Sequence, residues 1–217
     1  MLNKMLDEIK KNYELTPIDT SEFEGIKAMG MKFKISAYNA KGLGNVSLMT
    51  AKGFFGLMQM DTVIINPFEK DAPLFSYDRV YAMGNDTLFL EMYETRLNKT
   101  ELTEVKRVTD ANKNLPDSPV APNWYDDIKF GESVKKKGKK GLTPAFDKMT
   151  EDYLAAYLSE TKKAGDCDKD SKKKEASKYT EGLLTHGGPS TNVFVKAIGI
   201  EKTSKLFREI LFGTGEV

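Results

Sequence analysis

The stretch Leu74-Phe75-Ser76-Tyr77-Asp78-Arg79-Val80-Tyr81-Ala82-Met83-Gly84-Asn85-Asp86-Thr87-Leu88-Phe89-Leu90-Glu91-Met92-Tyr93 decides the fold. Two extended runs, Arg79 to Met83 and Thr87 to Tyr93, flank Gly84-Asn85-Asp86, a strong hairpin signal. Upstream, Asn66-Pro67 and Ala72-Pro73 make a prolyl turn that feeds the first run. Strand side chains alternate with period two. Asp78, Val80 and Ala82 therefore share one face, and Tyr77, Arg79, Tyr81 and Met83 share the other. Outward from this hairpin the same texture continues. Met31 to Ala37 alternates apolar with polar, and Asn45 to Thr50 and Leu57 to Ile65 are further extended segments. Consecutive strands joined by short turns predict an antiparallel meander over about 28–93.

Helical spacing brackets the meander. Leu2, Met5, Leu6 and Ile9 predict an amphipathic helix at the start, and Leu97, Leu102, Val105 and Val108 suggest another after the last strand. Leu115 to Pro122 holds three prolines and reads as a loop. Ser133 to Gly141, punctuated by glycine and rich in lysine, reads as a second loop. Phe146, Met149, Tyr153, Leu154, Tyr157 and Leu158 mark a long helix, with Thr143 at its N-cap and Pro144 at its first position. Lys162 to Lys178 reads as a solvated charged segment, helical in its second part. Gly187-Gly188-Pro189-Ser190 breaks the chain. Ser190 then caps a helix through Ile198, and Lys202 to Phe212 forms the last one. A sheet block followed by a helix block, without βαβ alternation, predicts an α+β fold or a three-layer α/β/α sandwich.

Composition narrows the function classes. At 217 residues, 40% of them hydrophobic, the chain suits one large domain or two small ones; the expectation adopted is a single monomeric domain over 1–217. The net charge of +1 and the lack of a recognised binding motif argue against nucleic acid. Cys167 is the single cysteine and His186 the single histidine, which leaves no disulfide, Cys-rich metal site or histidine cluster. No signal-peptide core and no bilayer-spanning run is evident, so the expectation is a soluble cytoplasmic protein without membrane contact. Neither GxGxxG before a helix nor GxxxxGK[ST] occurs.

Asp78 looks along a face of small apolar side chains. Desolvation there disfavours the charged form, raises the pKa and makes the carboxyl a proton donor near neutral pH. Local sequence taken alone favours a turn aspartate that caps nearby N–H groups. Arg79, on the opposite face, is expected to meet solvent or a partner. His186 reads either as an exposed loop residue or as a group that titrates near neutrality. Lys135, Lys136 and Lys137 read either as a solvated loop or as a docking patch for an acidic electron-transfer protein. Trp124 is expected to anchor its loop. The methionine and aromatic density from Phe54 to Met60 is expected in the core or in a ligand pocket.

Four segments, in order, resemble the ferredoxin-dependent bilin reductases, whose relatives include the red chlorophyll catabolite reductases. They are Pro67 with Pro73-Leu74-Phe75-Ser76-Tyr77-Asp78; Pro122-Asn123-Trp124-Tyr125-Asp126-Asp127-Ile128; Tyr153-Leu154-Ala155-Ala156-Tyr157-Leu158; and Ser190 to Gly199 followed by Glu209-Ile210-Leu211-Phe212. The resemblance implies an α/β/α sandwich around an antiparallel sheet. It implies a linear tetrapyrrole held between that sheet and the C-terminal helices. It implies single electrons from ferredoxin or flavodoxin in a radical mechanism, with no bound metal or flavin, because the conjugated substrate delocalises the added electron. Asp78 takes the proton-donor position. Thr62 stands where relatives carry His or Asn; with Met60, Thr50 and Asn192 it is expected to touch substrate. The second acid of many relatives falls at Gly187 or Gly188, beside His186; either His186 substitutes as a proton source, or the chain performs one reduction where relatives perform two. The other outcomes are a non-catalytic carrier of a linear tetrapyrrole or haem-breakdown product, and an unrelated α+β protein whose basic loop binds partners.

Overall fold

A computed structural model of the chain describes residues 1–119, 122–188 and 190–215. Val120 and Ala121 of the proline-rich loop, and Pro189 of the Gly-Gly-Pro-Ser break, lie outside the described residues. The meander is present as β3 (Met31–Ala40), β4 (Gly44–Gly53), β5 (Met58–Pro67), β6 (Leu74–Ala82) and β7 (Asn85–Tyr93). Two strands precede it, β1 (Leu15–Ile18) and β2 (Lys27–Ala28), and one follows, β8 (Val134–Lys139). All pairs are antiparallel, in the order β1-β3-β4-β5-β6-β7-β8, with β2 also on β3.

Both sheet faces are covered, which gives the three layers predicted. On one face lie α1 (Leu2–Asn12), α2 (Thr103–Ala111) and α3 (Thr143–Lys163). Their Met5, Ile9, Val105, Phe146 and Tyr153 pack with Val63, Ile65, Phe75 and Leu90 of the strands. On the other face lie α4 (Lys169–His186), α5 (Thr191–Ile198) and α6 (Ile200–Lys205), which continues into a π-helical turn, Leu206–Leu211. Their Tyr179, Leu183, Phe194 and Phe207 pack on Phe33, Ile35, Met49 and Ile64.

The last turn is fastened to the sheet by buried amides. Asn45 Nδ2 donates to the carbonyls of Ile210 (3.1 Å) and Leu211 (3.0 Å), Ser47 Oγ to Leu211 (2.8 Å), and Asn66 Nδ2 to Phe212 (2.8 Å). Carbonyls at a helix C-terminus have no partner within the helix, and β4 and β5 supply it here.

Several expectations are corrected. The lysine-rich Ser133–Gly141 segment is not a loop: Val134–Lys139 adds an edge strand to β7, and Lys136 is buried, donating to the Leu115 carbonyl (3.0 Å) and pairing with Asp117 (2.6 Å). Period two explains this, because alternate lysines fall on opposite faces. Lys172 of the supposedly solvated segment is also buried. Its ammonium donates to the carbonyls of Ala72 (2.8 Å) and Thr95 (2.7 Å) and to Thr95 Oγ1 (2.9 Å). Arg79 is fully buried rather than solvent-facing. It forms a forked pair with Asp86 (Nη2 to Oδ2 2.6 Å), lies 3.5 Å from Asp147 of α3, and has Thr143 Oγ1 donating to the same Asp86 (2.6 Å). Thr143 is therefore spent on that network and does not cap α3, and Ser190 makes no side-chain cap bond either. Phe54, Phe55 and Leu57 are exposed rather than core, because the β4–β5 connection projects beyond the layer that should cover it.

Candidate active site

Asp78 is the fifth residue of the nine-residue strand β6, well inside the ladder, so it is not a turn cap. Register places Ile35, Met49, Thr62, Asp78, Phe89 and Lys135 in one line across β3 to β8. One step along, Ser47, Ile64, Ser76 and Glu91 form the next line. Both lines face the α4–α6 layer, where a cavity of about 340 Å³ separates sheet from helices. Its sheet wall includes Met60, Thr62, Ser76, Asp78, Glu91 and Lys135; its helix wall includes Tyr179, Leu183, Phe207 and Leu211. Mostly apolar walls with a few convergent polar groups are the usual make-up of an organic-ligand site.

The Asp78 carboxyl is held from two sides. Thr62 Oγ1 donates to Oδ1 (2.5 Å) and Ser76 Oγ to Oδ2 (3.2 Å). Burial pushes its pKa from 3.8 up to about 6; the two hydroxyl bonds work against that rise and the nearby Glu91 charge adds to it. Desolvation dominates: Met60, Val80 and Phe89 line the cavity around the carboxyl, and no cation is among the causes of its shift.

Glu91 supplies a second carboxyl group to this cavity, on β7 rather than before the penultimate helix. Tyr93 Oη donates to it (2.7 Å) and Lys129 Nζ pairs with it (3.1 Å). Tyr93 in turn stacks on Tyr179 of α4 (4.2 Å, 24°), and Tyr125 stands edge-on to both rings at 5.6 and 5.8 Å. Burial drives the phenols of Tyr93 and Tyr179 well above the ordinary tyrosine range. Both stay neutral donors.

The predicted site residues divide. Thr62 and Met60 join Asp78 in the cavity wall. Thr50 does not: it pairs with Asp61 on the opposite face and donates to that carboxylate (2.7 Å). Its parity with Asp61 rather than with Thr62 puts it there. Asn192 sits in the first turn of α5 near Gly187, and the cavity is lined by its neighbour Thr191 instead. His186 is exposed at the end of α4, its ring 5.4 Å from Trp124, and is absent from the cavity lining. Trp124 does anchor its loop: Nε1 donates to the Gly187 carbonyl (3.0 Å) and the ring lies over Gly182, where a Cβ would meet it at 2.2 Å. Of the three lysines, Lys135 turns into the cavity wall with its ammonium 4.7 Å from the Phe89 ring, Lys137 is exposed, and Lys136 faces the other way. Glu91 and Tyr93 were within reach of the sequence, since the Gly84 hairpin gives them the parity of Asp78. Tyr179 was not, because another layer delivers it.

A larger hollow, about 450 Å³, lies between α2 and α3. Its acids serve structure: Asp71 accepts the N–H groups of Leu97 (2.7 Å) and Asn98 (2.8 Å), and Glu104 pairs with Lys163. Among the described residues no group of three or more His, Cys, Asp or Glu side chains is placed to hold a metal, and no helix is long and apolar enough to cross a membrane.

No family model and no curated protein matches the chain. A solved structure does. Phytochromobilin synthase from tomato, crystallised in complex with biliverdin, superimposes with a TM-score of 0.79 over 98% of this chain and 82% of that one, at 13% identity. The chain therefore has the fold of a protein solved with a linear tetrapyrrole, and its likeness to the bilin reductases extends from four short segments to nearly the whole molecule.

Proposed function

We propose that this protein reduces an open-chain tetrapyrrole bound between the sheet and the α4–α6 layer, with Asp78 as proton donor and with electrons from ferredoxin or flavodoxin. The observation that carries this reading is Asp78 itself: a carboxyl group in an apolar ligand cavity, held by Thr62 and Ser76, with its pKa raised to about 6. An apolar ligand that displaces water from the cavity removes more solvent from the carboxyl and favours its protonated form further.

Reducing one carbon–carbon double bond takes two electrons and two protons. On this reading the external donor supplies the electrons one at a time and is oxidised. Asp78 passes its carboxyl proton to the reduced tetrapyrrole and is reloaded from solvent for the second. The chain needs no bound metal or flavin for this, and its task is orientation and proton delivery. Glu91, held by Lys129 and Tyr93, is placed to accept from pyrrole N–H groups, and its proximity raises the Asp78 pKa. His186 stands apart from this chemistry. The exposed Lys137, on the edge strand near the cavity, suits an acidic donor.

The test is direct. Purified protein is mixed with biliverdin, then with reduced ferredoxin, and visible spectra are recorded. Binding is expected to shift the bilin band, and donor addition to bleach or move it further. Asp78→Asn is expected to bind and to lose turnover by roughly 10²–10⁴-fold, the usual worth of a positioned general acid. Binding without turnover under any one-electron donor would instead assign the chain as a tetrapyrrole carrier.

A further inference from the structure

One end of the sheet is built from three neighbouring connections: Met29-Gly30 between β2 and β3, Gly53 to Leu57 between β4 and β5, and Met83-Gly84 between β6 and β7. They touch. A Cβ on Gly30 would lie 3.4 Å from the Phe54 ring, and the Met83 N–H donates to the Leu57 carbonyl (3.4 Å). Their tips carry Met29, Phe54, Phe55, Leu57 and Met83, all exposed, with Phe55 at 108% and Met83 at 88%. An exposed apolar cluster of this size calls for a covering surface.

The backbone makes the choice of residues more telling. Among the described residues, the non-glycine positions with positive φ are Met29 (49°), Phe54 (53°), Phe55 (55°) and Met83 (51°), and every one lies in these tips. Tight hairpins that need left-handed backbone take Asn, Asp or Gly there. This chain instead places large apolar side chains where both conformation and water disfavour them, a strain that folding alone does not explain.

Charge identifies the partner. Behind the tips, Lys27, Lys32 and Lys52 stand directly opposite one another across β2, β3 and β4, all exposed, and none has an ion pair among the described residues. Like charges opposite one another destabilise a sheet, so an external anion is what this row suits. We infer that this end of the sheet docks on an anionic lipid bilayer. Convex tips with an apolar apex enter the headgroup boundary, and the lysines behind them reach the lipid charges while their stems stay in contact with the apolar zone. A folded protein partner would need a surface shaped to this irregular cluster; a bilayer conforms to it. The docking needs no spanning segment, and it is independent of the reaction proposed for the cavity.

The experiment is co-sedimentation of the full chain with phosphatidylcholine vesicles, with and without phosphatidylserine. Binding is expected with phosphatidylserine, weaker binding without it, and release as salt is raised. The variant Met29→Asn/Phe55→Asn/Met83→Asn places a residue suited to left-handed backbone at each tip. It is expected to melt at the same or a higher temperature and to bind vesicles at least about tenfold more weakly. The variant Lys27→Glu/Lys32→Glu/Lys52→Glu is expected to lose the preference for phosphatidylserine. No sedimentation with phosphatidylserine vesicles at low salt overturns the inference. So does self-association that the Asn variant abolishes, which would assign the end to a second copy of the chain. Loss of ferredoxin-supported turnover in the Asn variant without any vesicle binding by the parent would assign it to a protein donor, and overturns it equally.

Discussion

Two carboxyl groups on the same sheet face have different neighbours. Asp78 is desolvated and offered only hydroxyl donors, whereas Glu91 has a lysine and a phenol. The stability consequence for Asp78 has an unusual sign. Its folded pKa, about 6, lies above the usual 3.8, so between those values the folded state holds more protons than the unfolded one. Stability therefore falls as pH rises through about 4–6 on this account, and the loss persists above it. Asp78→Asn is expected to melt higher than the parent at pH 7–8, with the difference vanishing below pH 4; thermal melts across that range check it. Glu91 enters through its charge. Glu91→Gln removes that charge and is expected to lower the Asp78 pKa, read by NMR titration of the carboxyl carbon. An unmoved Asp78 titration would uncouple the pair.

At the scale of elements, the β6–β7 hairpin is locked to α3 by a buried ionic network rather than by apolar contact alone. Arg79 and Asp86 are both fully buried, with Thr143 and Asp147 of α3 completing the set and the Phe146 ring 5.2 Å from the guanidinium. Removing one partner leaves an uncompensated buried charge. Asp86→Ala is expected to cost about 3–5 kcal/mol in chemical denaturation. Replacing Arg79 and Asp86 together with Met and Leu is expected to recover much of it, since apolar residues of similar volume need no compensation. Equal losses in the single and double variants would show that the network contributes shape rather than charge balance.

At the scale of the whole molecule, α4 connects the cavity to the end of the sheet where β6 begins and β7 ends. Tyr179 and Leu183 line the cavity, while Lys172, two turns earlier, clamps the segments entering β6 and leaving β7. Burial lowers the Lys172 pKa from 10.5 to about 8 despite the nearby Asp71. The folded state thus binds fewer protons than the unfolded state between about 8 and 10.5, and stability gains from this group as pH rises through that window. Lys172→Met strands the carbonyls of Ala72 and Thr95. It is expected to lose about 1–3 kcal/mol at pH 7 and to abolish the gain above pH 8, measured by urea titration at both values. Retention of the gain in the variant would assign it to another group.

The sequence by itself determined the meander, its hairpin at Gly84 and the face on which Asp78 looks, because period-two alternation is a local property that survives any tertiary arrangement. The same parity already separated Asp78 from Arg79 and would have grouped Glu91 and Tyr93 with Asp78. Only the tertiary structure decided what each face meets. Thr50 lies across the sheet from the cavity, because its cross-strand neighbour is Asp61. Lys136 and Lys172 are buried, because carbonyls from distant segments converge on their ammonium groups. Phe54 and Phe55 are exposed, because the β4–β5 connection that carries them joins neither apolar core. His186 and the cavity are parted by where α4 ends. A one-dimensional pattern carries side-chain direction; whether that direction ends in water, in a helix or in a ligand cavity depends on which layer the chain folds over it.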